Sequence, residues 1–196
     1  ITLYNVTWSQ ADDYIFAYGA LNYKGLVFMT GADLRFTYAS TATSQWDSNT
    51  TLELDNLFTF AYAPMNNATT LLQFTDFTSK FILNHSVLYL NSGLHLTKGQ
   101  LTLRQSPIIY SSAVGLTLGD MTITDSSADM QITFLDNSVT FIETGTFSYQ
   151  NNNPTSFQSW NSATLQFDND SACFVYRDIP MCQCTINFNG NNDLYF

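Results

Sequence analysis

Apolar and polar residues alternate along this chain in short runs, and one version of the run keeps returning. It reads Leu26-Val27-Phe28, Leu52-Glu53-Leu54, Leu72-Gln73-Phe74, Leu94-His95-Leu96, Leu116-Thr117-Leu118, Val139-Thr140-Phe141 and Leu165-Gln166-Phe167, with starts about 20 to 27 residues apart. Gln100-Leu101-Thr102-Leu103-Arg104 and Asp120-Met121-Thr122-Ile123-Thr124 show the same period of two. That period belongs to strands, whose successive side chains point to opposite faces. No window of helix length carries the apolar stripe of an amphipathic helix. Turns fall at Lys98-Gly99, Gly119-Asp120, Asp136-Asn137 and Thr144-Gly145, where Gly and Asn tolerate backbone angles that other residues resist.

A strand of a few residues cannot bury a face alone. Stacked copies can, by placing Leu on Leu and Phe on Phe in interior columns while neighbouring backbones pair at about 4.8 Å. The spacing therefore predicts an all-β parallel β-helix in which Leu94, Leu116 and Val139 share one ladder. Divided at the recurring motif, the chain forms a single solenoid domain, 1–196, of eight coils: 1–23, 24–48, 49–69, 70–92, 93–114, 115–138, 139–163 and 164–190. Eight rungs at the strand spacing make a rod about 38 Å long. Loops such as Ser40 to Gln45 and Asn151 to Ser156 absorb the variation in coil length. The alternative that also uses many short alternating strands is an antiparallel β-sandwich or jelly roll.

This recurrence of Leu-x-Leu, turn, Leu-x-Leu resembles the parallel β-helix repeats of bacterial surface proteins, the autotransporter passengers and filamentous adhesins. The resemblance extends over nearly the whole chain as a pattern of residue classes. It implies a solenoid with a surface role and carries over no functional residue.

Composition sharpens that picture. Charged residues are 11% of the chain against 45% hydrophobic, and Ser, Thr and Asn, 61 of the 196 residues, supply the polarity. The formal net charge is −10 with six Lys and Arg. Those cations are scattered, which argues against a polyanion partner and excludes a nucleic-acid footprint. No apolar run is long enough to span a bilayer as a helix. The chain starts at Ile1 without Met or an export signal, so it is expected to be a processed protein or a piece of a longer one. Together these features point to an extracellular or cell-surface location.

Candidate chemistry is thin. Asp12-Asp13, the pair Asp168 and Asp170, and the pair Asp125 and Asp129 near Arg104 read as turn carboxylates capping backbone amides. His95 should point away from the core and His85 should sit in a turn. No nucleophile elbow, phosphate loop or metal spacing occurs. No catalytic, cofactor-binding or metal-binding residue is therefore assigned, and the chain is read as a non-enzyme without cofactors. Cys173, Cys182 and Cys184 are disulfide candidates or buried thiols. Trp8, Trp46 and Trp160, of which Trp46 and Trp160 come late in their coils near loops, are candidates for stacking on sugar rings or for filling wide corners of the core. Five Asn-x-Ser/Thr sites, at Asn5, Asn49, Asn67, Asn84 and Asn169, are about what chance supplies.

Both ends of the chain look uncovered. Ile1 to Trp8 reads as a strand from its first residue, and Thr185 to Phe196 is aromatic with little charge. Solenoids usually cap such ends. Head-to-tail pairing of copies through Ile1, Leu3, Tyr4 and Trp8 at one end and Ile186, Phe188, Leu194, Tyr195 and Phe196 at the other is the expected use, making a fibre or surface layer. Two alternatives follow: an adhesin or carbohydrate-binding module, and a polysaccharide lyase or hydrolase.

Overall fold

The computed structural model describes residues 1–96, 99–105 and 107–111, with side chains except at 103, 104 and 111, and beyond them the backbone of nine strands. The chain begins with β1 (Thr2–Ser9), β2 (Tyr14–Phe16) and β3 (Asn22–Thr30). It continues through β4 (Arg35–Tyr38), β5 (Ser44–Trp46), β6 (Thr51–Asp55), β7 (Thr59–Tyr62) and β8 (Leu72–Phe74). Next come β9 (Lys80–Asn84), β10 (Val87–Leu90), β11 (Leu94–Leu96), β12 (Gln100–Arg104) and β13 (Ile108–Ser111). The remaining strands are β14 (Leu116–Leu118), β15 (Gln131–Phe134), β16 (Val139–Ile142), β17 (Phe147–Tyr149), β18 (Phe157–Ser159), β19 (Thr164–Phe167), β20 (Cys173–Val175), β21 (Thr185–Phe188) and β22 (Asp193–Tyr195).

Every strand pairing is parallel, as in β4 on β7 on β10 on β13. Hairpins would pair neighbours antiparallel, so the sandwich alternative is excluded. The architecture is a parallel β-solenoid of about four turns over the part described with side chains. Each turn visits three faces. Face A carries β6, β9 and β12; face B carries β4, β7, β10 and β13; face C carries β5, β8 and β11. The long strands β1 and β3 bend round a corner, so each serves face C with its first half and face A with its second. Backbone bonding runs on through the corners: Thr59 donates to the Leu34 carbonyl, Val87 to Phe58 and Ile108 to Ser86, at 2.9, 2.9 and 3.0 Å.

Columns of like side chains fill the interior. On face A, Val27 lies in register with Leu52, Leu52 with Phe81, and Phe81 with Leu101, all buried. Face B stacks Phe36 on Phe60 at 5.5 Å and Tyr38 on Tyr62 at 5.9 Å. Face C stacks Tyr23 on Trp46 at 4.5 Å. The rung spacing sets these separations and brings rings within the range where a pair adds about 0.5–1.5 kcal/mol beyond area burial.

The corners are turned by residues with positive φ. Asn5, Gly25, Asn49 and Gly99 lie between faces C and A, and Asp33, Asn56, Leu57, His85 and Gln105 between A and B. Asn reaches this region with least strain after Gly. Three of the glycosylation-type asparagines, Asn5, Asn49 and Asn67, adopt it. Their placement is explained by turning the chain.

The expected ladder needs correction. Leu94 does pair with Leu116, but Leu116 continues to Phe147, while Val139 lies on face B beside Thr164. The recurring triplet passes from face A to face C to face B along the chain, because all three faces use the same alternation. The first triplet is also out by one residue. Val27 and Met29 point inward and Leu26 is exposed, since a register shift between Tyr4 and Val6 sets Asn5 and Gly25 at a bulged corner. Within the expected loop Ser40 to Gln45, Ser44 and Gln45 already belong to β5.

Candidate functional site

Among the described residues, exposed apolar side chains are densest on the first rung, with Leu26, Leu57, Met65 and Phe77 exposed on later ones. β1 pairs only with β3 and β2 only with β4, so the outer edges of both have no partner strand. Of the exposed large apolar residues, Ile1, Tyr4, Tyr14, Ile15 and Tyr18 all belong to this rung, with Tyr18 the most open at 82%. Phe36 stacks on one face of Tyr14 at 5.8 Å, and Trp8 meets the same two rings edge-on at 5.5 and 6.0 Å. The Trp8 indole donates to Gln10 Oε1 at 3.2 Å, fixing the ring beside the corner. The Ile1 backbone nitrogen donates to the Ala20 carbonyl at 2.8 Å, which holds Ile1 beside the start of β3.

The expected association residues divide on this geometry. Ile1 and Tyr4 are exposed and Trp8 is half-buried. Leu3 is a correction: at 8% exposure it belongs to the core, in register with Tyr23, because alternation sends it inward. Ile186 and Phe188 are on β21, paired with Leu165 and Phe167; Leu194 and Tyr195 are on β22, paired with Phe174 and Val175. β2 and β21 stand at opposite ends of the eight-stranded sheet. Phe196 lies outside the described residues.

Trp46 takes the core alternative rather than the sugar-stacking one. It is 1% exposed and held between Tyr23 and Phe74, with centroids 4.5 and 5.0 Å away, so it offers no surface to a sugar. Trp160, Cys182 and Cys184 lie outside the described residues, and Cys173 begins β20.

Described carboxylates act locally. Asp13 Oδ1 accepts the Arg35 amide at 2.9 Å and Asp76 Oδ1 the Thr78 amide at 2.8 Å. Among the described residues one ion pair occurs, Lys24 to Asp47 at 2.8 Å, and its hydrogen bond holds the Lys24 ammonium above its usual pKa. Also among the described residues, no three His, Cys, Asp or Glu converge as metal ligands. His85 turns a corner with φ 44°, and His95 is half-buried on the outer side of face C.

Sequence reasoning missed Tyr14, Ile15 and Tyr18. The sequence offered no clear signal for them, because later face-B strands such as Val87-Leu88-Tyr89-Leu90 and Ile108-Ile109-Tyr110 are as continuously apolar as Tyr14-Ile15-Phe16. Comparisons of this chain with protein-family models, with curated proteins and with solved structures give no match.

Proposed function

We propose that this chain is a non-enzymatic structural rod that docks head to tail, the first rung of one copy against the last strands of the next, outside the cell or on its surface. The observation that carries this reading is the unpaired edge of β1 and β2 together with the apolar side chains gathered there. An open parallel edge is a template for another strand, and a face-to-end contact that does not close makes a filament. On this reading β14 to β22 complete eight coils and bring β21 and β22 to the far end. Low charge density favours such packing, because few ions need be desolvated.

The test is electron microscopy and sedimentation of the purified chain over a concentration series. Filaments are expected from the wild type. Y4K and I15K, which place charge on the edge, should leave short particles with an unchanged circular-dichroism melt. Deleting Ile1 to Trp8 should act the same way with the middle turns still folded. Monodisperse short wild-type particles at high concentration, or filaments from the variants, would overturn the reading. The lyase or hydrolase alternative has no supporting arrangement among the described residues.

A further inference from the structure

The strand ladder on face C is interrupted after β8. The nine-stranded sheet that holds β5 and β8 ends at β8, and β11, on the next rung of the same face, begins a separate sheet. The His95 amide of β11 donates to the Thr69 carbonyl at 2.8 Å, so β11 is bonded to the connection that precedes β8. On the other edge of β8 the ladder is intact. Thr75 donates to the Trp46 carbonyl and the Leu71 carbonyl accepts from Ser44, at 2.9 and 2.7 Å, so residues 71 and 75 bond toward β5. Alternation then turns the backbone N–H and C=O groups of Leu72 and Phe74 the other way, toward the break.

A groove of about 440 Å³ opens there, with Leu72 and Phe74 in its lining. Its exposed side chains are Gln45, Thr70, Gln73 and Thr75, and half-buried His95 completes it. Gln45 and Gln73 are in register on successive rungs, which sets their backbones about 4.8 Å apart. Gln73 Nε2 donates to the Thr70 carbonyl at 3.2 Å, which orients that carboxamide. Among the described residues no Asp, Glu, Lys or Arg lines the groove. A volume of this size falls within the range of small-molecule sites, about 300–1,000 Å³.

We propose that this groove binds an uncharged oligosaccharide. Each carboxamide and each threonine hydroxyl both donates and accepts, as sugar hydroxyls do, and the adjacent oxygen and N–H of a carboxamide match two neighbouring hydroxyls of one ring. The backbone groups of Leu72 and Phe74 add partners that need no ordering on binding. An ionic ligand would give up its hydration here without a counter-charge, so the lining selects a neutral one. The groove is built from β5, β8, β11 and the connections beside β8. None of its residues belongs to the first rung, so the site stands or falls independently of head-to-tail docking.

The test is calorimetric titration of the full chain with neutral hexasaccharides of glucose, of mannose and of galactose, and with oligogalacturonate as the charged control. At least one neutral hexasaccharide should bind with an affinity that is the same at low and high salt, and the acidic oligomer should bind at least tenfold more weakly. Q45A and Q73A should each weaken binding at least fivefold with an unchanged melt. No binding of any neutral hexasaccharide, affinity that falls with added salt, tighter binding of the acidic control, or unaltered affinity in both variants would overturn the proposal. The Gln45 side chain is exposed, so Q45A keeps the test decisive should Q73A, which loses the bond to Thr70, disturb the fold.

Discussion

The ring of Tyr23 lies over that of Trp46, 25° from parallel, at the centre of the face-C column. Both rings are fully enclosed, and among the described residues neither the Tyr23 hydroxyl nor the Trp46 indole N–H has a partner within hydrogen-bond reach. The two rings therefore interact through contact area, while backbone bonds such as the Asp47 amide to the Tyr23 carbonyl at 3.1 Å join the rungs beside them. Trp46→Ala should therefore cost about 3–5 kcal/mol, the range for emptying a large aromatic site. Chemical denaturation would measure it, and a loss below about 1 kcal/mol would show that the column collapses without penalty.

Tyr23→Phe tests the other half of that statement. Removing an unpartnered buried hydroxyl should leave stability unchanged or raise it, because the polar group is buried without compensation. Tyr62→Phe should do the opposite. Its hydroxyl donates to the Ala68 carbonyl and accepts the Leu71 amide at 3.2 Å, closing the loop between faces B and C. A loss of about 1–2 kcal/mol is expected. Equal effects from the two substitutions would contradict this assignment of partners.

Alkaline pH should expose the same tyrosines. Burial pushes the Tyr62 phenol up to about 12, against a hydrogen bond from Leu71 that lowers it, and burial also raises Tyr38 and, further, Tyr23. Below about pH 10 these phenols are neutral in both the folded and unfolded chain. Above it the unfolded chain releases protons that the folded chain keeps, so stability falls as pH rises toward 12. Melting curves followed with phenolate absorbance should show the decline beginning near the ordinary phenol value. Stability that stays level through pH 12 would count against these burial assignments.

Gly25 is predicted to resist replacement. Its φ is +65°, and a Cβ there would stand 2.0 Å from Asn5 Oδ1, the atom that accepts the Leu26 amide at 2.9 Å. Gly25→Ala should cost about 1–2 kcal/mol from backbone strain, plus the contact. Adding Asn5→Gly should recover the contact and leave the strain. A double-mutant cycle measures that coupling, and additive effects would mean the two corners do not touch as described.

How much of this was legible before the structure depends on which signal is asked for. Period-two alternation and recurrence led to the parallel solenoid, because each depends only on residue class. Assignment of triplets to faces was not legible: Leu52-Glu53-Leu54 and Leu94-His95-Leu96 look alike and occupy different faces. The phase of Leu26-Val27-Phe28 was hidden too, since it is set by a bulge whose only trace is Asn5 opposite Gly25 one rung on. Trp46, beside polar neighbours, was open to a surface or a core reading, and Ser44 and Gln45 flank it as a buried corner residue and an outward one. The uncovered first rung was half visible in Ile1 and Tyr4. The groove on face C was invisible, because it opens where the ladder stops between β8 and β11, and strand pairing leaves no mark on residue class.

The connection from face B to face C varies most among the described turns, spanning residues 39–43, 63–71 and 91–93. Strands before and after it keep their register regardless, as Tyr38 on Tyr62 and Trp46 beside Phe74 show. This seam is therefore where foreign sequence could be displayed. A peptide grafted near Asn66 would project sideways at a fixed height, and repeated copies would present it at regular intervals like pegs on a rail.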